Sequence, residues 1–186
     1  MLDNFFGEEI EKTVFLSAAQ MREARPGLVR GKYFKDTAIF NIFPPELSDR
    51  GEFLGRILPE GSEPNAKGFC GVAGQEKIQF YFDGKPIKAE PYELHQNIFS
   101  RNKGILETDK MDHKRAVILG CGSVGSLVAM ELARSGVGHF LLADPDVMEY
   151  HNICRHQCGI EDVGDLKITA LKRKLLNINP QVDVQI

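Results

Sequence analysis

The sequence predicts an α/β fold in which a parallel β-sheet follows a small β-rich or α+β domain. Two short apolar runs, at 116–119 and 140–143, enclose a glycine-rich turn and a stretch with helical spacing of apolar residues. A second stretch with helical spacing, at 166–178, leads into a third apolar run. Strands and helices that alternate in this order are typical of a parallel sheet.

The N-terminal domain is predicted to span residues 1–97, and no catalytic constellation marks it. Short apolar or aromatic runs at Thr13–Leu16 and Ala38–Phe43 suit β-strands. The segment 51–74 is rich in Gly, Pro and Glu and is therefore predicted to form loops. The region as a whole is typical of a small β-rich domain.

A β-hairpin is the most specific prediction in this domain. Lys77–Phe82 alternates in polarity, Asp83-Gly84 follows directly, and Lys85–Ala89 can return as the partner strand. Asp-Gly between two such runs is a strong hairpin signal. Cys70 and His95 stand alone in the sequence and are interpreted as structural residues.

Residues 98–113 are predicted to connect the two domains. The surrounding segment is charged and carries two apolar pairs, Ile98-Phe99 and Ile105-Leu106. These pairs favour a helix and connector that lie on the second domain over a free linker.

A GxGxxG pattern of Gly120, Gly122 and Gly125 follows the first apolar run of the second domain. Gly120 gives the turn backbone freedom, Gly122 lets a phosphate approach the main chain, and Gly125 allows helix and sheet to pack closely. Asp144, at the end of the next apolar run, can accept hydrogen bonds from ribose hydroxyls. The order strand, turn, helix, strand and acid predicts a Rossmann-like nucleotide-binding unit. The alternative is a buried strand and glycine turn without a ligand.

The helix after the glycine turn carries apolar residues on one face and is ended by Gly136 and Gly138. That face comprises Val124, Leu127, Val128 and Leu132. The later helix, within Leu166–Ile178, stops at Asn179-Pro180, and 182–186 begins a third strand.

Polar residues follow the second strand in a pattern that a dehydrogenase does not need. Asp144 and Asp146 are followed by an amide, Asn152, and by two cationic side chains, Arg155 and Lys167. Attack on a phosphate of ATP builds negative charge on its oxygens, and Arg and Lys stabilise that charge. The pattern therefore favours ATP chemistry.

The overall composition excludes several classes of partner. A formal net charge of −3 does not indicate binding to nucleic acid, and no apolar run has the length of a membrane span. The acidic N-terminus does not resemble a signal peptide. Four cysteines with scattered spacing are not a disulfide framework, which predicts a reducing, cytoplasmic setting.

The segment from Lys114 to the C-terminus resembles the ThiF-type adenylyltransferase superfamily. That group includes ubiquitin-activating enzymes and the enzymes that adenylate sulfur-carrier proteins. The resemblance rests on the ordered motifs VILGCGSVGS, LARSGVG, LADPDVMEYHNICRH, GDLK and NINPQVDV. The family pattern Asn-Leu-x-Arg-Gln stands here as Asn152-Ile153-Cys154-Arg155-His156, and the histidine indicates a bacterial-type member.

The resemblance implies roles for the conspicuous residues of this segment. The ATP site would be formed by Gly120, Gly122, Gly125, Asp144, Asp146, Asn152, Arg155 and Lys167. Asp144 would hold the ribose, whereas Arg155 and Lys167 would stabilise charge on the phosphates during catalysis. Residues 98–102 resemble a segment whose arginine, in several members, reaches the ATP of the partner subunit. Arg101 is thus a catalytic candidate within a homodimer, and the alternative is a solvated surface arginine.

The implied reaction is adenylation of the C-terminal carboxylate of a ubiquitin-like or sulfur-carrier protein. The carboxylate would attack the α-phosphate of ATP, with Mg²⁺ neutralising the polyphosphate. Transfer to a cysteine could follow, but no cysteine of this sequence is a convincing acceptor. His151, Cys154, His156 and Cys158 are zinc-ligand types without the usual CxxC spacing, so no metal site is predicted.

The sheet is expected to be incomplete at the C-terminus, since the sequence ends within its third strand, and the chain alone is then expected to be inactive. Two alternatives to adenylation remain open. One is an NAD(P)-dependent oxidoreductase on the same βαβ unit, and the other is a non-catalytic half of an activating complex.

Overall fold

A computed structural model describes residues 10–93, 98–102, 104–105 and 107–186. The chain divides into two compact units, residues 1–93 and 94–186. In the described part of the chain, no helix combines the length and the apolarity that crossing a membrane requires.

The described part of the first unit is a closed barrel of short strands, β1 to β7, in the spatial order β1-β3-β2-β4-β5-β6-β7. β7 returns to β1, and the two strands pair in parallel. One short helix, α1, follows β1. The bounds are β1 Thr13–Ser17, α1 Ala18–Glu23, β2 Gly27–Phe34, β3 Ile39–Ile42, β4 Glu52–Leu58, β5 Phe69–Ala73, β6 Ile78–Phe82 and β7 Lys85–Tyr92.

Aromatic side chains fill the interior of this barrel. Phe40 stacks on Tyr33 and on Phe69, with ring centroids 4.2 and 4.6 Å apart. Phe80, which is fully buried, continues the stack from Phe69 at 5.5 Å. Closure hides the sheet edges, so a small unit can bury a single core. The predicted β-rich N-terminal domain is confirmed.

The hairpin prediction is also confirmed. β6 and β7 pair antiparallel, and Phe82 lies opposite Lys85 across the turn. Asp83 and Gly84 have φ values of 48° and 71°, which are the left-handed conformations that a two-residue hairpin turn requires.

The prediction of loops across 51–74 is wrong for β4 and β5, which both lie within this segment, and confirmed for residues 59–68 between them. Gly55 and Gly71 serve close packing in the barrel, whereas Gly61 and Gly68, each with a φ of 78°, lie in the loop between the two strands. A Cβ at Gly55 would stand 2.1 Å from the carbonyl oxygen of Phe69, and one at Gly71 would stand 2.8 Å from Ile78 Cγ2. Glycine is therefore the residue that fits where backbone and side chains approach this closely.

The described part of the second unit contains a three-stranded parallel sheet in the order β10-β9-β8. Two long helices, α3 and α4, connect its strands, and a short α2 precedes them. The bounds are α2 Thr108–Met111, β8 Arg115–Leu119, α3 Ser123–Arg134, β9 His139–Ala143, α4 Lys167–Ile178 and β10 Asp183–Gln185. The order third, second, first is that of one half of a Rossmann fold. The predicted Rossmann-like parallel sheet is confirmed.

One face of this sheet packs against α3 and α4. Ile118, Phe140 and Leu142 from the strands meet Leu171 and Leu175 of α4 in the main cluster of buried residues. The other face of the sheet is open to solvent, and Leu119, on that face, is 79% exposed. The sheet is therefore covered by helices on one face only. Because its strands are parallel, their carboxyl ends meet at one edge.

The buried face of α3 is not its most apolar stripe. Ser126, Ala129 and Ala133 are buried, and their small side chains let the helix approach the sheet. Of the predicted apolar face, Val124, Leu127 and Val128 are instead exposed, whereas Leu132 is half-buried and packs against the core. Apolar spacing located the helix correctly, but the small residues determine which side packs.

The predicted connector contains a 3₁₀ turn at Ser100–Asn102 and the helix α2. Phe99 is buried, whereas Ile105 is exposed. His95 and Leu106 lie outside the described residues.

Candidate active site

The glycine turn joins the carboxyl end of β8 to the start of α3. Gly120 adopts a φ of 87°, and its N–H donates to the carbonyl of Ala143 at the end of β9, 2.8 Å away. A Cβ at Gly125 would stand 1.9 Å from the carbonyl oxygen of Gly120, so a larger residue cannot occupy this position without displacing the turn. Gly122, the N-cap of α3, has open space where its Cβ would be.

An opening at a helix N-terminus is well suited to an anion. α3 is long enough for its dipole and its free N–H groups to attract a phosphate. The open space beside Gly122 lets that phosphate reach the main chain.

Asp144 lies against this turn at the end of β9. Its Oδ2 accepts a hydrogen bond from the Cys121 N–H at 2.6 Å, and its Oδ1 accepts one from the Asp146 N–H at 2.8 Å. The half-buried carboxylate is thereby fixed in orientation. Each oxygen keeps further lone-pair capacity, which ribose hydroxyls can use.

The long connection between β9 and α4 folds back on itself and closes the site. Val147 and Leu166 form an isolated antiparallel bridge, and Met148 N–H donates to the Asp165 carbonyl at 2.8 Å. This pairing brings the first residue of α4, Lys167, beside the residues that follow β9.

Lys167 and Asp146 form the central ion pair of the site. Lys167 Nζ lies 2.7 Å from Asp146 Oδ2, and Lys167 N–H donates to the Asp146 carbonyl at 3.0 Å. The Lys167 side chain is 11% exposed, whereas the Asp146 side chain is 65% exposed. Lys167 is thus a nearly buried cation held by a partner that water can reach.

A continuous chain of hydrogen bonds therefore links three predicted site residues to the glycine turn. It runs from the glycine turn through Cys121 N–H to Asp144, from Asp144 to Asp146, and from Asp146 to Lys167. Cys121 and Asp144 lie 23 residues apart and come together because parallel strands end at the same edge of the sheet. The Val147–Leu166 bridge then brings Lys167 to them.

Asn152 and Arg155 lie in the loop between these elements. Asn152 is buried, and its Oδ1 accepts a hydrogen bond from the Glu149 N–H at 2.9 Å, which caps a 3₁₀ turn at Tyr150–Asn152. A phosphate would meet its NH₂ group rather than this oxygen. Arg155 is exposed, and within the described ranges its side chain has no hydrogen-bond or ion-pair partner. Its contact with a phosphate remains a prediction.

The sequence analysis missed an ion network that braces this loop against α4. Asp162, 2% exposed, accepts hydrogen bonds from Gly159 N–H at 2.9 Å and from Arg173 Nη2 at 2.9 Å. Lys174 Nζ lies 3.2 Å from Oδ2 of Asp162, the oxygen that also accepts from Gly159 N–H. Burial by itself raises the pKa of Asp162, but these hydrogen bonds and the nearby cations lower it below its ordinary value. Asp162 lies 11 and 12 residues before its two cationic partners, Arg173 and Lys174. That separation belongs to no regular pattern that sequence analysis recognises.

The cysteines near the turn are poor nucleophiles. Burial, together with the nearby carboxylates of Asp144 and Asp162, raises the pKa of Cys121 to about 11 and of Cys158 to about 12. Cys154 is exposed, and its thiol lies 3.3 Å from the His151 carbonyl. Across the part of the chain that the structure describes, no three His, Cys, Asp or Glu side chains cluster as a metal site would.

Arg101 lies far from the glycine turn in its own chain. The neighbouring Asn102 donates a hydrogen bond to the Arg134 carbonyl at 3.0 Å, at the C-terminal end of α3. Since α3 has 12 residues, its two ends are about 16 Å apart. That separation is longer than an arginine side chain, so Arg101 cannot reach the turn of its own subunit from this position.

Comparisons with known proteins match the second unit to a protein family. The family model described as ThiF family matches residues 94–186. The chain is 38% identical over 95 residues to tRNA threonylcarbamoyladenosine dehydratase of Bacillus subtilis (strain 168), a match covering 49% of this chain and 37% of the relative. It is 41% identical over 80 residues to the sulfur carrier protein ThiS adenylyltransferase of the same strain, covering 40% and 23%.

A third relative extends the match into the first unit. Ubiquitin-like modifier-activating enzyme 5 of Branchiostoma floridae is 30% identical over 146 residues, covering 75% of this chain and 34% of the relative. Among solved structures, E. coli MccB with ATP is 36% identical over 48% of this chain and 29% of that chain, with a TM-score of 0.45. The chain thus spans less than two-fifths of the length of the curated relatives named here.

Proposed function

Because the chain belongs to the ThiF family, we propose that it uses ATP to adenylate a carboxylate. The observation that carries this proposal is the nearly buried Lys167, linked through Asp146 and Asp144 to the glycine turn. A buried cation beside an open helix N-terminus is an arrangement for a polyphosphate, and nicotinamide chemistry does not require it.

In the proposed reaction a carboxylate oxygen of the substrate attacks the α-phosphorus of ATP. A new oxygen–phosphorus bond forms, the bond from the α-phosphorus to the bridging β-oxygen breaks, and pyrophosphate leaves with that electron pair. The products are an acyl-adenylate and pyrophosphate. Gly122 and the start of α3 would bind the phosphates, while Asp144 would bind the ribose.

Lys167 would stabilise the negative charge that develops on the phosphate oxygens. In the described structure its ammonium group contacts Asp146 instead. Because the Asp146 carboxylate is largely exposed, water can replace Lys167 there at modest cost, and the lysine can turn to a phosphate. Asp146 would thus hold Lys167 ready, and Asn152 and Arg155 would add contacts from the loop.

While Lys167 contacts Asp146, the described carboxylates of the site do not offer an open position for Mg²⁺. Asp144 already accepts two main-chain N–H groups, and Asp146 is paired with Lys167. No step of the proposed reaction is therefore routed through a metal.

The proposed substrate is the C-terminal carboxylate of a ubiquitin-like or sulfur-carrier protein. Support comes from the names of two relatives, the ThiS adenylyltransferase and ubiquitin-like modifier-activating enzyme 5. Transfer to Cys121 or Cys158 is disfavoured, since both thiols are buried and have raised pKa values.

We further propose that the active form is a homodimer in which Arg101 acts on the partner's site. Its distance from its own glycine turn supports action in trans over action in cis. An arginine supplied by a second subunit is an established way to stabilise charge on phosphates.

ATP–pyrophosphate exchange tests the proposed reaction. The full-length protein that carries this sequence is incubated with ATP, labelled pyrophosphate and a panel of ubiquitin-like and sulfur-carrier proteins. Label should enter ATP only when a carrier with a free C-terminal carboxylate is present. A carrier that ends in an amide is the matched control and should give no exchange.

The other outcomes are informative. Binding of a nicotinamide nucleotide in place of ATP would assign the chain to the oxidoreductases. Exchange driven by threonylcarbamoyladenosine in tRNA, but not by any carrier, would keep adenylation and change the substrate class.

A further inference from the structure

His156 stands where the family pattern has glutamine, and the structure gives it a defined set of partners. The ring is 8% exposed. Its Nε2 lies 2.5 Å from the Cys121 carbonyl oxygen, and its Nδ1 lies 3.0 Å from the Cys158 nitrogen. Since the Cys158 N–H donates to Nδ1, the ring proton must be on Nε2, which donates to Cys121.

Cys121 is the middle residue of the glycine turn, and both of its main-chain polar groups are held by side chains. Its N–H donates to Asp144 from the end of β9, and its carbonyl accepts from His156. The neighbouring Gln157 N–H also approaches Ser126 Oγ of α3, at 3.4 Å. The loop of Arg155 is thereby joined to the turn at the start of α3.

The carbonyl of Cys121 and the N–H of Gly122 belong to one planar peptide group and point in opposite directions. Holding this carbonyl toward His156 therefore turns the Gly122 N–H, at the start of α3, away from His156. Because the residue after Cys121 is Gly122, this peptide group can rotate easily if nothing restrains it. A rotated peptide would present a carbonyl oxygen, which repels phosphate.

We propose that His156 is a positioning residue that keeps the Cys121–Gly122 peptide oriented for phosphate binding. This inference rests on the proposed function, because it concerns the same phosphate site. It also explains the departure from the family pattern. A glutamine has a donor NH₂ at the place of Nε2 and an acceptor oxygen, so it can reproduce both contacts of the neutral imidazole.

The test compares ATP with adenosine as ligands, since only ATP carries phosphates. Calorimetric titration of the full-length protein that carries this sequence should show that His156→Ala weakens ATP binding about tenfold or more, while adenosine binding stays within about twofold. His156→Gln should retain the affinity of the wild type for ATP. His156→Asn, which reaches the Cys158 N–H but not the Cys121 carbonyl, should behave as His156→Ala does.

His151→Ala is the matched control, because His151 lies in the same loop, is exposed and contacts only Glu149 through its side chain within the described residues. It should bind both ligands normally. Equal loss of ATP and adenosine in His156→Asn, or unchanged ATP binding in His156→Ala, would overturn the positioning role. Wild-type binding of ATP without any pyrophosphate exchange would instead refute adenylation and leave the positioning role standing. A wild-type chain that binds no ATP would refute both.

Discussion

Replacing Lys167 by methionine separates catalysis from stability. Methionine keeps much of the apolar stem of lysine and removes its charge. Because the Asp146 carboxylate is largely exposed, it stays hydrated without its partner, and the melting temperature should change little. The loss should therefore appear in the reaction.

The size of the effect follows from the burial of the ammonium group. Two unit charges about 4 Å apart interact by about 4 kcal/mol at an effective dielectric constant of about 20, which corresponds to about a thousandfold in rate. Competition from Asp146 reduces this gain, since its carboxylate lies 2.7 Å from the same ammonium group. We expect kcat/KM in pyrophosphate exchange to fall by at least about a hundredfold.

Lys172→Met is the matched control. It removes the same charge from the same helix, α4, at a position five residues on, which faces a different direction. Its exchange rate should stay within about twofold of the wild type. Retention of activity in Lys167→Met, or an equal loss in Lys172→Met, would refute the assigned role of Lys167.

The remaining predictions concern the turn, the loop and the second subunit. Gly125→Ala should lower the free energy of unfolding by about 3 kcal/mol in urea titration, since its Cβ meets the Gly120 carbonyl. Gly122→Ala, whose Cβ has open space, should fold normally and bind ATP more weakly. Asp162→Asn should lower the free energy of unfolding by about 2–4 kcal/mol at pH 7. Because the pKa of Asp162 is lowered in the folded state, this difference should shrink as the pH falls below about 4, and a pH-independent difference would contradict the assignment. Mixing inactive Arg101→Ala with inactive Lys167→Met should restore exchange, since one site of the mixed dimer then has both side chains, and no recovery would place Arg101 outside the site.

Local chemistry made much of the fold predictable. Asp83-Gly84 sets its own hairpin, since the turn needs the left-handed conformations that these residues tolerate. The strand, glycine turn and helix from 116 to 134 were equally readable, because each residue type there answers a local requirement.

Other features depended on contacts that are distant in the sequence. Gly55 and Gly71 indicate loops by composition, yet each allows a close approach to a strand that comes later in the chain. Val124, Leu127 and Val128 located α3 but not its buried side, which depends on how closely Ser126 and Ala129 let the helix approach the sheet.

Some residues of the candidate site were predictable from the sequence, and others were found only in the structure. The sequence named Asp144, Asp146 and Lys167, and the structure joins them by hydrogen bonds. It did not indicate that Asp162 braces the loop or that His156 holds the glycine turn, because neither partner lies at a recognisable spacing.

The products formed from ATP test the central claim most directly. The full-length protein that carries this sequence is supplied with an adenylatable carrier and with ATP labelled at the α-phosphate, and the labelled nucleotides are separated by chromatography. Attack at the α-phosphorus, with Lys167 on the phosphate oxygens, predicts label in the acyl-adenylate and in AMP, and no ADP. Labelled ADP as the product would place the attack at the γ-phosphate and contradict adenylation.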